Sequence, residues 1–340
     1  MRDEALACGG CAAEFLERGL VIALAAGQTL RQRATQRVEV LGRGSSSHAG
    51  TVLRYCFAAQ GGLGVSAVMP WVAADNAALV PMQHTTLVAI SQSGQSPDLV
   101  RYAVAARAAG AYVVGLINTG GSPLGAVADT EIPLCAGTEL AVAATKSVVL
   151  SVVAGLALVA GCRGDNALLE ALHRLPGRLD AAAQCDWSAL TAALTGARAV
   201  FVVGRGADLG IAKELALKIA EAAGIPASAF SSAEFLHGPL AAVSAQTPVV
   251  GVVSDPRALE SVLTALERAR GQGAATLLAH GFGASPVIPL PQLPLPAAAG
   301  TAADCVLALV PAYLAIEASA RAVGRNPDRP AGLSKVTETL

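Results

Sequence analysis

The sequence has few charged and few aromatic residues, and its positive residues do not outnumber its negative ones. Only 14% of its 340 residues are charged and 4% are aromatic, and the formal net charge is −1. A protein without a basic surface lacks the electrostatic attraction that holds nucleic acid or an anionic membrane. We therefore expect a small-molecule ligand, and neither nucleic acid nor a membrane as a partner.

The sequence also predicts neither a signal peptide nor a membrane-spanning helix. The start, MRDEALACGGCAAEF, has no cationic stretch followed by an apolar one, so it predicts no signal peptide. The most apolar run, residues 147–162, is uncharged over 16 residues. A spanning helix needs about 20. This run therefore predicts a buried helix.

The seven cysteines follow no disulfide or metal-binding pattern. Their number is odd and they are scattered, as in reduced cytoplasmic proteins. Cys8 and Cys11 form a CxxC, which is found in redox sites and as half of a metal site, but no second CxxC and no histidine pair accompanies it. The sequence predicts a cytoplasmic location and favours a structural role for both residues.

Two halves of the chain repeat one pattern. VEVLGRGSS (38–46) is similar to VFVVGRGAD (200–208), and about 50 residues after each GRG an apolar strand ends, in VAISQSG and in GVVSDPR. Short, nearly continuous apolar strands between amphipathic helices are typical of parallel sheets covered on both faces. We predict two doubly wound α/β domains related by duplication, at residues 1–170 and 171–324, followed by a tail at 325–340.

Residues 91–98, SQSGQSPD, follow an apolar strand and begin a helix. Ser96 suits the N-cap, Pro97 the first helical position and Asp98 the first turn. A helix N-terminus favours an anion, and serine hydroxyls could add hydrogen bonds worth roughly 1.5–3 kcal/mol each. The pattern leaves two interpretations open, a phosphate site that needs no lysine and a polar turn that only caps a helix.

The segment GRGSSSHAG (42–50) is a second strand-to-helix turn with clustered hydroxyls. Ser47 stands where a dinucleotide-binding motif needs its third glycine, so we predict no nicotinamide site. Ser45 and Ser46 would serve the same anion if both turns lie at neighbouring strand ends, where open α/β sheets bind ligands. The second half has GRGADL and VSDPRA at these places. We therefore expect one phosphate site per chain, built mainly from the first half.

Charged and titratable residues gather in the second half. Glu214, Lys218 and Glu221 are four and three residues apart in GIAKELALKIAEAAG, so they share one helix face. Two interpretations remain, a solvated face with ion pairs and a half-buried site, and the apolar surroundings favour the second. His237 precedes Gly-Pro, which predicts a turn at this residue.

These motifs resemble, in order, those of the double sugar-isomerase (SIS) domain family. The resemblance covers almost the whole chain and rests on GRGSSSHAG, SQSGQSPD, TELAVAATKS, ALKIAEAAGIPASAFSSAEFLHGPLA and GLSKVTETL. Within the family, the chain is most similar to the isomerase half of glucosamine-6-phosphate synthase and to the SIS-type glucosamine-6-phosphate deaminases. The synthases also carry a glutaminase domain with a catalytic cysteine, which nothing here resembles, so we expect a deaminase or an isomerase.

The resemblance implies flavodoxin-like domains, a homodimer with its active site at the subunit interface, and roles for individual residues. Glu221 would move a proton between C1 and C2, His237 of a neighbouring subunit would open the ring, and Lys335 would reach the open-chain sugar. Glu214 and Lys218 would support them. The implied ligands of the sugar phosphate are Ser46, Ser91, Gln92, Ser93 and Ser96, with Val142 and Ala143 lining the sugar through their backbone.

The chemistry agrees with these residue types. A carboxylate that takes and returns a proton works best with a raised pKa, which burial favours, and ring opening needs a group that titrates near neutrality, as histidine does. We predict conversion of glucosamine 6-phosphate and water to fructose 6-phosphate and ammonia, with no metal and no cofactor. The alternatives are an isomerase or deglycase for another phosphosugar, such as galactosamine 6-phosphate or fructosamine 6-phosphate, and a non-catalytic sugar-phosphate sensor.

Overall fold

The chain forms two compact units, each described here by itself. The computed structural model describes residues 1–59, 61–68, 81–282 and 290–335. The first unit holds Gly10–Glu139 and Lys146–His173, and the second holds Met1–Gly9, Leu140–Thr145 and Arg174–Lys335. The predicted domain limits at residues 170 and 324 stay a prediction, and residues 336–340 of the predicted tail lie outside the described residues.

Within the described residues, each unit contains one sheet of five parallel strands. Numbered from the first strand of its unit, each sheet has the order 2-1-3-4-5, which is the flavodoxin-like order. This confirms the predicted fold class, two doubly wound domains with one shared topology. The first unit has β1 Arg37–Leu41, β2 Gly64–Ala67, β3 Thr85–Ser91, β4 Tyr112–Ile117 and β5 Thr130–Pro133. The second has β6 Val200–Gly204, β7 Ala227–Ser231, β8 Val249–Val253, β9 Thr276–His280 and β10 Gln292–Pro294.

The central strands have no polar face. Every residue of β3 (TTLVAIS), β4 (YVVGLI) and β8 (VVGVV) is buried. Strands inside a parallel sheet are covered by helices on both sides, which explains why their apolar runs do not alternate with polar residues. The register of the first sheet places Val88 between Val40 and Val114. Branched side chains therefore meet across neighbouring strands in the interior of the sheet.

Helices connect these strands. In chain order the described α-helices are α1 Arg2–Leu6, α2 Cys8–Arg18, α3 Leu20–Gln32, α4 Gly44–Ala59, α5 Pro97–Ala108, α6 Pro123–Val127, α7 Lys146–Arg163, α8 Asn166–Ala183, α9 Ser188–Leu194, α10 Asp208–Lys218, α11 Ser232–Leu236, α12 Leu259–Arg270 and α13 Leu309–Ala322. A π-helical turn at Ile219–Ala223 continues α10. Shorter 3₁₀ turns occupy Pro239–Ala242, Pro256–Ala258 and Ala302–Ala308.

Two helical stretches of the described chain are long and apolar enough to cross a membrane, by length and composition alone. They are Lys146–Arg163 and Ala302–Ala322, and 94% and 83% of their apolar windows are buried inside the fold. A helix that is apolar all round is expected where protein surrounds it on every side. The run at residues 147–162 lies in α7, which confirms the predicted buried helix.

Helices α3 and α7 approach each other so closely that only glycine fits at the contact. A Cβ atom on Gly27 would lie 2.3 Å from the carbonyl oxygen of Leu158 and 2.5 Å from the amide nitrogen of Cys162. One on Gly161 would lie 2.4 Å from the carbonyl oxygen of Leu24. These are backbone atoms of two helices, which cannot turn aside as the end of a side chain can.

Gly27→Ala is therefore expected to lower the free energy of unfolding by about 1–3 kcal/mol, the usual cost of overpacking. Gly10→Ala is the matched control, because Gly10 is also helical but a Cβ atom there meets nothing within 4 Å. The control should be neutral or stabilising by up to about 1 kcal/mol, since alanine is the better helix former. Urea unfolding followed by circular dichroism measures both variants. Equal stability of Gly27→Ala and the wild type would show that the helices separate without cost.

Candidate active site

The two hydroxyl-rich turns lie side by side in the first unit. β1 pairs in parallel with β3, with Leu41 opposite Ala89, so the turns that follow these strands leave the sheet at the same edge. The strand order reverses between β1 and β3, and open α/β sheets bind ligands at such a switch point. The structure thus gathers six predicted ligands at one edge, whose binding role stays a prediction: Ser45, Ser46, Ser91, Gln92, Ser93 and Ser96.

Polar groups of the turn after β3 hold it in shape. Ser91 Oγ accepts a hydrogen bond from the amide of Gly94 at 3.0 Å, and Ser93 Oγ accepts one at 3.3 Å from the amide two residues on. Gly94 has a φ of +64°, and a Cβ atom on it would lie 2.1 Å from Ser122 Oγ, so this position requires glycine. Ser96 occupies the N-cap of α5 as predicted, but its hydroxyl makes no capping hydrogen bond.

An ion pair joins the two turns. Arg43 Nε donates a hydrogen bond to Asp98 Oδ2 at 2.8 Å, and Arg43 Nη2 donates to the same oxygen. The Asp98 side chain is buried, whereas that of Arg43 is half-exposed. The sequence predicts Asp98 in the first turn of a helix but gives no sign of its contact with Arg43, because the two residues are 55 positions apart.

In the second unit, Lys218 lies buried between two carboxylates. Its Nζ is 3.5 Å from Glu214 Oε1 and donates a hydrogen bond to Glu221 Oε2. Tyr313 Oη donates to Glu214 Oε1 at 3.3 Å. Lys218 and Glu214 are each 1% exposed and Glu221 is 23% exposed. The structure therefore favours the half-buried site over the solvated face.

Glu221 lies on a π-helical turn, where the sequence predicts a continuous α-helix. α10 ends at Lys218, and the turn Ile219–Ala223 continues it as far as Gly224. Such turns inside α-helices are rare and occur frequently at functional sites. The hydrogen bond from Lys218 to Glu221 thus joins the last residue of α10 to this turn.

The loop at residues 140–145 belongs to the second unit and is held by the tail. Lys335 Nζ donates a hydrogen bond to the carbonyl oxygen of Ala141 at 2.6 Å. The amide of Val142 donates to the carbonyl oxygen of Asp328 at 3.0 Å. The next residue, Ala143, is buried. The structure therefore brings together Lys335 and the loop that was predicted to line the sugar.

Glu4 of α1 binds the same loop, a contact that the sequence analysis missed. Its carboxylate accepts hydrogen bonds from the amides of Leu140 and Ala141, the second at 3.1 Å, and from Thr145 Oγ1 at 3.3 Å. Along the sequence, Glu4 stands out just as an acidic residue in the first turn of a helix. Acidic residues are common at such positions because they interact favourably with the helix dipole, so this pattern does not indicate a contact with a loop. Glu4 and Leu140 are 136 positions apart, so no local pattern indicates their contact.

His237 is exposed at the end of a short helix. It follows α11 directly and precedes Gly238, as predicted, and its side chain is exposed. Within the part of the chain that the structure describes, it makes no hydrogen bond or ion pair with another predicted site residue. Its predicted role in the site of a neighbouring subunit stays a prediction.

Comparison with known proteins identifies the family. The family model described as the SIS domain matches residues 32–161 and again residues 193–321. The chain belongs to the SIS domain family. The first match contains β1 to β5 and the second contains β6 to β10, so each sheet is the centre of one SIS domain.

Several relatives of this SIS protein are named as sugar-phosphate enzymes. A glutamine–fructose-6-phosphate aminotransferase of Symbiobacterium thermophilum is 33% identical over 260 residues, which are 72% of this chain and 42% of that protein. The chain spans about half the length of such curated relatives. A solved structure assigned as a phosphosugar isomerase of Silicibacter pomeroyi DSS-3 is 34% identical, with a TM-score of 0.89 over 96% of this chain and 99% of that one. Glucosamine-6-phosphate deaminase of Thermotoga maritima, 19% identical, shares the fold with a TM-score of 0.79 over 99% of both chains.

The second SIS domain fills its own switch point with a carboxylate. Asp208 stands where the first domain has Ser46, and Ser254 stands where it has Ser91, because GRGAD and GVVS correspond to GRGSS and VAIS. Asp208 is buried and accepts hydrogen bonds from the Ser254 amide at 2.8 Å and from Ser254 Oγ at 2.6 Å. Burial raises the pKa of Asp208 to about 6, against the opposing effect of the Ser254 hydrogen bonds. A negative charge here repels an anion, and one phosphate site per chain stays a prediction.

This buried carboxyl group is expected to make the stability of the SIS fold depend on pH. Between about pH 4 and pH 6, folded Asp208 keeps a proton that the unfolded chain, with an ordinary carboxyl pKa of 3.8, has released. The folded state then binds more protons, so the free energy of unfolding falls as the pH rises, by up to about 3 kcal/mol for a shift of this size. Asp208→Asn is expected to remove this fall, measured by urea unfolding between about pH 4 and pH 7.

Glu260→Gln is the control for this measurement, because Glu260 is an exposed carboxylate at the start of α12. It should keep the pH dependence of the wild type. If the curves of the wild type and Asp208→Asn stayed parallel, the ionisation of Asp208 would have no part in the stability of the fold.

Proposed function

We propose that this SIS protein is an amino-sugar-phosphate deaminase/isomerase that converts glucosamine 6-phosphate and water to fructose 6-phosphate and ammonia. The observation that carries the proposal is buried Lys218 between Glu214 and Glu221, of which Glu221 alone retains partial exposure. A proton shuttle needs a carboxylate that is fixed in direction and still reachable by a substrate. The names of the relatives support the substrate class.

In this proposal the switch point of the first SIS domain binds the substrate phosphate. Each hydrogen bond to a charged oxygen contributes roughly 1.5–3 kcal/mol net, and the N-terminus of α5 adds partial positive charge. Phosphate is the part that all hexose 6-phosphates share, so this site holds the substrate without choosing the sugar. The proposed donors are the hydroxyls of Ser45, Ser46, Ser91, Ser93 and Ser96 and the side-chain amide of Gln92.

Glu221 is the proposed proton shuttle. Its carboxylate takes the proton from C2 of the open-chain amino aldose and returns it to C1, which produces the ketimine at C2. Water adds to C2 and ammonia leaves, so the product is fructose 6-phosphate. Lys218 holds the Glu221 carboxylate by its hydrogen bond, with Glu214 beside it. Lys335 reaches the open-chain sugar, and the backbone of Val142 and Ala143 lines it.

Ammonia release from glucosamine 6-phosphate by the purified protein is the direct test. We expect equal amounts of ammonia and fructose 6-phosphate, without any added metal or cofactor. A panel that includes galactosamine 6-phosphate and fructosamine 6-phosphate identifies the sugar, because the phosphate site contacts only the shared end. Turnover of a different sugar alone would replace the proposed substrate, and binding of phosphosugars without any turnover would favour a sensor.

Glu221→Gln is expected to lower kcat by about 10²–10⁴, the typical contribution of a general base, with a small effect on KM. The amide keeps the shape of the side chain and can still accept a hydrogen bond from Lys218, but it cannot take a proton. Glu267→Gln is the matched control, since Glu267 is an exposed carboxylate of α12, and its kcat should equal that of the wild type. An unchanged rate in Glu221→Gln would mean that another group moves the proton.

The proposal includes a cytoplasmic homodimer in which His237 serves the site of the partner. The exposed side chain of His237 supports the shared site, and the scattered cysteines support the location. Glu221→Gln and His237→Asn subunits, unfolded and refolded together, provide the test. One site of a mixed dimer then contains both native residues, so the mixture should recover activity that neither variant has alone. No recovery, or an active monomer in sedimentation, would count against the shared site.

A further inference from the structure

Arg43 reaches across the switch point of the first SIS domain. It lies between β1 and α4, directly before the first turn of α4, which contains Ser45 and Ser46, and its guanidinium binds Asp98 at the start of α5. Asp98 is two residues after Ser96. The guanidinium therefore lies at the edge of the sheet from which all six proposed phosphate ligands extend.

The burial of the two partners is unequal. The side chain of Asp98 is 3% exposed and that of Arg43 is 52% exposed. A guanidinium has five N–H donors, and Asp98 takes two of them, one from Nε and one from Nη2. Within the described residues, three donors remain on a planar group whose orientation Asp98 already fixes. Little side-chain entropy is then lost when an oxyanion binds to this group.

We propose that Arg43 is a further ligand of the substrate phosphate and that Asp98 is the residue that positions it. The proposal rests on the proposed function in one respect, that the ligand of this site carries a phosphate. The six proposed ligands would offer a phosphate neutral donors only, close to the buried carboxylate of Asp98. With Arg43, the positive guanidinium balances the negative charge of Asp98. The phosphate also gains charge-assisted hydrogen bonds, because the paired N–H donors of a guanidinium match the oxygens of a phosphate.

The second SIS domain supplies an internal comparison. Arg205 occupies the place of Arg43 in the second GRG, but its Nη1 donates to Ser261 Oγ at 3.4 Å instead of to a carboxylate at the start of α12. That switch point already contains the carboxylate of Asp208. Arg205 is thus an arginine in the same motif without the buried acid that would orient it, and it serves as the matched control.

The test is the dissociation constant of inorganic phosphate and of glucosamine 6-phosphate, measured by calorimetry. Arg43→Gln is expected to weaken both about 10- to 100-fold, the loss of one hydrogen bond to a charged group. The dissociation constants of Arg43→Lys should lie between those of Arg43→Gln and the wild type. Lysine keeps the positive charge but lacks the paired N–H donors of the guanidinium. Asp98→Asn should weaken binding less than Arg43→Gln does, because the guanidinium remains. Arg205→Gln should bind as the wild type does.

The outcomes separate this proposal from the deaminase proposal and from a purely structural ion pair. Binding by Arg43→Gln equal to the wild type would overturn the ligand role, whatever the turnover. Equal losses in Arg43→Gln and Asp98→Asn would mean that the pair only holds the two turns together, which also overturns it. Loss of binding in Arg43→Gln, in a wild type that binds phosphate but releases no ammonia, would support the ligand role and reject the deaminase.

A kinetic readout applies where the wild type turns over. Arg43 touches the phosphate and not the reacting carbons, so Arg43→Gln should raise KM much more than it lowers kcat. Should Arg43→Gln fail to fold because the buried Asp98 is left without its partner, the double variant Arg43→Gln/Asp98→Asn removes that charge. The double variant must still bind phosphate more weakly than Asp98→Asn alone, and equality of the two would overturn the proposal.

Discussion

The reversal of strand order between β1 and β3 is the constraint on which the proposed phosphate site depends. The chain leaves β1 toward one side of the sheet and β3 toward the other, so the two turns that follow these strands meet at one edge without a helix between them. The hydrogen-bonded register of the two strands fixes how far each turn extends. Any polar residue placed in the first positions after either strand is then within reach of the same ligand. The topology of the sheet therefore brings the two turns together, and the few side chains of the turns decide what can bind there.

The second SIS domain separates these two contributions, because it keeps the topology and changes the residues. Its sheet has the same order, and its turns meet at the same edge, but a buried carboxylate of Asp208 and the donors of Ser254 satisfy each other there. Burying an acid without a cation is costly, and two hydrogen bonds from Ser254 offset only part of that cost, which is why the pKa of Asp208 lies near 6. The fold therefore tolerates an occupied switch point. The hydroxyl-rich turns of the first domain are therefore not a requirement of folding.

The sequence is informative wherever structure follows from neighbours along the chain. The apolar runs predict β3, β4 and α7, Ser96 and Pro97 predict the start of α5, and spacing predicts the contact of Lys218 with Glu214. It is uninformative where a pair forms only in the folded chain, as in Arg43 with Asp98 and Glu4 with Leu140. The π-helical turn at Ile219–Ala223 is also unpredicted, since its residues, IAEAA, are good helix formers and the departure from α-helix depends on packing. The local patterns thus predict the elements and the contacts of Lys218 with Glu214 and Glu221, whereas other partners of the candidate site come from elsewhere in the chain.

The loop at residues 140–145 shows why such distant partners are needed. Its sequence, LAVAAT, offers almost no polar side chains, so its backbone groups must either bind a ligand or be satisfied by other parts of the chain. Glu4 takes the amides of Leu140 and Ala141, and the backbone of Asp328 takes that of Val142, which fixes the course of the loop. Lys335 donates a hydrogen bond to the carbonyl oxygen of Ala141 and so ties the tail to the loop as well. A hydrogen bond from a charged donor is worth roughly 1.5–3 kcal/mol, so this contact adds to the order of the loop. Residues near both ends of the described chain therefore fix a loop whose own side chains offer almost no polar groups.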